Sequence, residues 1–108
     1  MANFIVTYPL YFLAKGDDVA IVTLKHESAE AVGNFLPVFT DEKPALAFRD
    51  ECFPRWPLAT IAHEAFFSWL LIPLKDRIFG VVFDPYRASK KPFTILVNEL
   101  IAQFGKDA

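Results

Sequence analysis

Two histidines, one cysteine and scattered carboxylates are the side chains here best suited to hold a metal or move a proton. His63-Glu64 begins like the helical zinc-protease signature, in which a second histidine follows the first by four positions and shares its helix face. That fourth position is Phe67, and His26 stands apart in a polar stretch. A lone cysteine excludes an internal disulfide and a cysteine-built zinc cage. No structural or catalytic metal and no cofactor are therefore expected. His63 reads as a solvent-facing or capping residue at a helix start. Cys52 shares helical spacing with Phe48 and has no activating neighbour in the sequence, so it reads as a small buried apolar group.

Phosphate chemistry finds no support either, because Gly16, Gly33, Gly80 and Gly105 are isolated and build no glycine-rich loop. Trp56 and Trp69 could stack against a ring-shaped ligand. Trp69 lies within an apolar run and Trp56 between Arg55 and Pro57, and packing is the expected role of both. Two polar clusters remain as candidate binding residues: Thr40-Asp41, and Asp84 with Tyr86 and Arg87 after Pro85. Tyrosine and arginine combine contact area with directional hydrogen bonds, which makes them frequent binding hot spots. Each cluster also has a simpler local use. Thr40-Asp41 can cap a helix, worth ~1 kcal/mol, and Asp84-Pro85 suits the first two positions of a type I turn.

The elements that position these residues follow from hydrophobic patterning. Phe4–Leu13 is β-branched and aromatic and reads as a strand, with Pro9 marking an edge or bulge. Gly16-Asp17-Asp18 supplies a turn into a second strand, Val19–Leu24, making a hairpin. Lys25–Gly33 reads as a loop and Phe35–Phe39 as a third strand. A helix then starts at Thr40-Asp41, with Ala45, Phe48 and Cys52 at helical spacing, and stops at Pro54. A short strand at Pro57–Thr60 precedes an apolar helix, Ala62–Ile72, that Pro73 ends or kinks. Ile78–Phe83 is the clearest strand. Phe93, Leu96, Val97, Leu100, Ile101 and Phe104 form the stripe of a last helix, opened by Pro92 and closed by Gly105. The order β-β-β-α-β-α-β-α predicts one α+β domain over residues 1–108, a mixed sheet of about five strands carrying three helices.

Two segments of this pattern resemble a known family. Leu36-Pro37-Val38-Phe39-Thr40-Asp41, followed by an Ala/Phe-rich helix and later by Val81-Val82-Phe83-Asp84-Pro85, resembles the N-terminal domain of the SseB family over about Asn34 to Tyr86. The resemblance implies an α+β fold in a bacterial protein and transfers no catalytic residue.

Composition narrows the partners. A chain of 108 residues with net charge −2 and no basic run beyond Lys90-Lys91 lacks the electrostatic footprint of a nucleic-acid binder. Its charge-free stretches, residues 1–14 and 65–74, fall short of the ~20 apolar residues that span a bilayer. The N-terminus lacks the basic start and cleavage site of a signal peptide, so a cytoplasmic location is expected. Yet 54% of the residues are apolar, and a small domain has proportionally more surface to cover with polar groups. Some of that apolar excess must lie outside, where it predicts a homodimer or another protein partner. The expected function is a non-catalytic interaction or adaptor domain. The alternative is a small-ligand-binding protein or enzyme using the strand ends near Thr40 and Asp84, where open α/β sheets gather their ligands.

Overall fold

The computed structural model describes residues 6–25, 32–85 and 93–106. Within them the α+β class and the three helices stand, while the strands number seven and divide between two sheets. The first sheet has order β2-β1-β5, from β1 (Leu10–Lys15), β2 (Asp18–Val19) and β5 (Leu58–Ile61). The second has order β3-β4-β6-β7, from β3 (Val22–Lys25), β4 (Val32–Val38), β6 (Gly80–Phe83) and β7 (Phe93–Leu96). Only β4 and β6 run parallel; the other pairs are antiparallel.

The expected strand Val19–Leu24 is broken at Ala20-Ile21, and its halves serve different sheets. Ala20 is buried and donates its N–H to Leu13 O at 3.0 Å, so the break is a packed crossover between sheets. The hairpin before it forms as expected. Lys15 pairs with Asp18 across the two-residue turn Gly16-Asp17, and Gly16 takes φ +63°, a conformation that glycine reaches without strain.

The expected last helix also divides. Phe93–Leu96 pairs antiparallel with β6 as β7, and α3 (Val97–Lys106) begins only afterwards, running through Gly105. With β4 on one side and β7 on the other, β6 is central, and its four residues are all buried.

The sheets meet where Tyr11 and Phe39 exchange backbone hydrogen bonds of 2.8 Å in both directions. Alternation along β1 then serves two cores. Leu10 and Phe12 join Leu36, Val38, Val81 and Phe83 beneath α2 (Glu64–Leu74) and α3. Leu13 turns the other way and packs with Phe39, Ala45 and Phe48 beneath α1 (Glu42–Cys52). Among the described residues no helix is long and apolar enough to cross a membrane.

Tyr8 enters the larger core just before β1, its ring edge-on to Phe67 at 6.5 Å. Its hydroxyl is buried with no hydrogen-bond partner. Burial first, and the Glu64 carboxylate second, push the phenol from its ordinary value of 10.0 up to about 12. The neutral form is favoured on folding, so this contribution to stability is complete below pH 10 and is lost as pH rises toward 12. Tyr8→Phe is expected to raise the unfolding free energy by about 1 kcal/mol at neutral pH, because the unpaired hydroxyl disappears. It should also flatten the stability loss between pH 10 and 12. Urea titrations of both proteins below and above pH 10 check this, and an unchanged alkaline slope would place its origin elsewhere.

Candidate functional site

Thr40 and Asp84, the two strand-end residues singled out by sequence, are brought together. Thr40 leaves β4 and Asp84 leaves β6, and the parallel register Val38↔Phe83 sets them side by side. The Thr40 N–H donates to Asp84 Oδ1 at 2.9 Å and the Thr40 hydroxyl donates to Oδ2 at 2.8 Å. Asp84 itself takes φ +50°, a region that aspartate tolerates better than most residues, and donates its N–H to Val38 O at 2.8 Å. The carboxylate is thus a two-point latch between the ends of β4 and β6.

The expected cap at this point is corrected. Asp41 occupies the N-cap position of α1 with extended backbone, and its side chain makes no capping bond. The Thr40 hydroxyl has turned to Asp84 because a carboxylate accepts both its donors at once. Asp41 adjoins the latch without joining it. Tyr86 and Arg87 lie outside the described residues, as does His26.

His63 caps α2, its Nδ1 accepting the Phe66 N–H at 3.3 Å. Cys52, expected to be buried, is exposed at the last position of α1. Ala45 and Phe48 of the same stripe do reach the core, and Phe53, the residue after the helix, packs against it where Cys52 does not. Trp56 packs as expected, edge-on to Phe53 at 5.4 Å. No three His, Cys, Asp or Glu side chains among the described residues are grouped to hold a metal ion.

The larger feature is one that the sequence hid. Helix α2 is apolar on more than one side. Phe67, Leu71 and Leu74, at spacings of four and three, are buried in the core. Phe66, Trp69, Leu70 and Pro73 form a second stripe that lines an open groove against the β1–β2 hairpin. The hairpin wall contributes Phe12, Ala14 and Val19, with Asp17 and Asp18 at its tip. Arg77, in the turn after α2, completes the lining of a cavity of about 330 Å³.

Trp69 is 68% exposed despite its place in an apolar helix, and the expectation that it fills the core is corrected. Its ring stacks on Phe66 at 5.6 Å with 27° between planes, which holds the indole against the groove wall. Ile72, on the next turn, is 51% exposed. A helix apolar all round ordinarily lies buried on every side. Here one side is turned outward. No family model matches the chain, and no curated protein matches it.

Proposed function

We propose that this chain is a non-catalytic protein-interaction domain whose contact face is the groove between α2 and the β1–β2 hairpin. The observation that carries this reading is the outward apolar stripe of α2. Trp69 at 68% and Ile72 at 51% exposure stand beside a cavity of about 330 Å³ whose walls are mostly apolar. Water contact with so much aromatic and aliphatic surface is unfavourable by roughly 25 cal/mol per Å², and a partner removes it. Tryptophan and arginine, both present here, are the residue types most enriched at binding hot spots.

The strand-end alternative draws less support. Its best-placed polar groups, Thr40 and Asp84, are bonded to each other. The segments resembling the SseB N-terminal domain are neighbours in space through β4 and β6, and kinship with that bacterial family is proposed on that basis alone. A cytoplasmic setting is proposed with it, in keeping with the exposed free thiol of Cys52.

Site-specific photocrosslinking in the expressing cell tests the interaction reading. A benzophenone amino acid in place of Trp69 should give a discrete protein adduct on irradiation. The same group in place of Glu51, exposed on α1, should not. Equal or absent crosslinking at the two positions would overturn the assignment of this face.

A further inference from the structure

We infer that the occupant of the α2–hairpin groove is a second copy of this chain, docked about a two-fold axis. The inference rests on the interaction reading above and names its partner. A two-fold interface is isologous, so the surface must be complementary to itself. This one is, in shape and in charge. Its α2 wall carries the exposed indole of Trp69, and its hairpin wall carries the apolar Phe12, Ala14 and Val19 that such an indole can cover.

The charges divide between the two walls. Asp17 and Asp18 sit on the hairpin wall, and Arg77 follows α2 on the other. The ion pair among the described residues is Arg49 with Asp50 on α1, and none joins Arg77 to either aspartate. Rotation by half a turn about an axis through the groove exchanges the walls. Arg77 of each copy then faces the Asp17-Asp18 tip of the other, and Trp69 of each copy faces the other's hairpin wall. A partner with a uniformly basic or acidic rim would leave one of these walls opposed by like charge. A second copy opposes neither.

Sedimentation of the purified full chain across a micromolar range, with charge-exchanged variants, tests this. The wild-type chain should sediment at twice 12.3 kDa. Trp69→Asp should give the monomer. Arg77→Asp alone, and Asp17→Arg with Asp18→Arg, should each weaken self-association by about tenfold or more through like-charge repulsion. Mixing these two variants should restore a dimer of wild-type strength, because both cross-interface contacts are then Asp with Arg. That recovery also shows both variants to be folded. A wild-type monomer at every concentration overturns the inference, as does a dimer indifferent to Arg77→Asp or a mixture that stays monomeric. The crosslinking above separates this failure from failure of the interaction reading. An adduct of twice the chain mass supports both, an adduct of another mass sinks only the second copy, and no adduct sinks both.

Discussion

Alanine at position 80 is expected to lower the unfolding free energy by about 3 kcal/mol, a large share of the 5–15 kcal/mol typical of a domain. Gly80 opens the central strand β6, paired with Phe35 of β4 on one side and Leu96 of β7 on the other. A methyl group there would overlap the Ile95 carbonyl oxygen and come within 2.9 Å of the Phe35 ring. Neither neighbour can step aside. The carbonyl belongs to the backbone of β7, and Phe35 is fully buried. Guanidinium unfolding of Gly80→Ala beside the wild type measures the loss. A change under about 1 kcal/mol would show that β7 can retreat from β6 and that the packing there is loose.

The second large effect is expected at Asp84, where hydrogen bonding and backbone conformation can be separated by choice of replacement. Asp84→Ala removes the acceptor of both Thr40 bonds and leaves at φ +50° a residue that tolerates the left-handed region less well than aspartate, so it should cost about 3 kcal/mol. Asp84→Gly relieves the backbone and loses only the bonds, for about 2 kcal/mol. Asp84→Asn keeps the shape, tolerates the left-handed region and retains one oxygen acceptor, for under about 1 kcal/mol. Asp41→Ala, beside the latch but unbonded, should fall within about 0.5 kcal/mol of the wild type. Thermal or urea unfolding of the four variants checks the order. Asp41→Ala proving the costlier of the two alanine variants would return the helix start to a side-chain cap and dismiss the latch.

These cases show what the sequence could and could not reveal. Strand β6 and the α1 and α2 helices were legible because their signals are local: a β-branched apolar run, helical spacing, and prolines and a histidine at the ends. The break at Ala20-Ile21 was not. An apolar alanine continues the hydrophobic pattern of a strand, and the change of sheet is dictated by pairing with β1 and β4. Strand β7 is hidden in the sequence because Phe93 and Leu96 fit a helical stripe with Val97 and Leu100. The open side of β6 claims Phe93–Leu96 for the sheet instead. In the candidate site, Asp84 was legible as a polar exit from an apolar strand, but its engagement with Thr40 needed the parallel register of β4 and β6. The sequence pattern puts Trp69 inside because α2 offers two apolar stripes, and the pattern does not say which one faces the core. Bulk composition signals only that some apolar surface must lie outside, not which surface it is.

The interleaving of the two sheets has a consequence for how the chain comes to be folded at all. Strand β1 waits for β5, Leu10 meeting Ile61, and β4 waits for β6, Phe35 meeting Gly80. Each of these closures straddles a stretch of chain that belongs to the other sheet. As the polypeptide leaves the ribosome from its N-terminus, the β1–β2 and β3–β4 pairs can form early, but each is a two-stranded ribbon too small to be stable alone. Neither sheet gains its third strand until β5 and then β6 emerge, and the core face of α2 has no complete floor before then. Long-range pairing of this kind slows folding and concentrates it into one late event. A ribosome pausing before Gly80 would hold an open half-structure, with the apolar stripe of α2 and the edge of β4 exposed together.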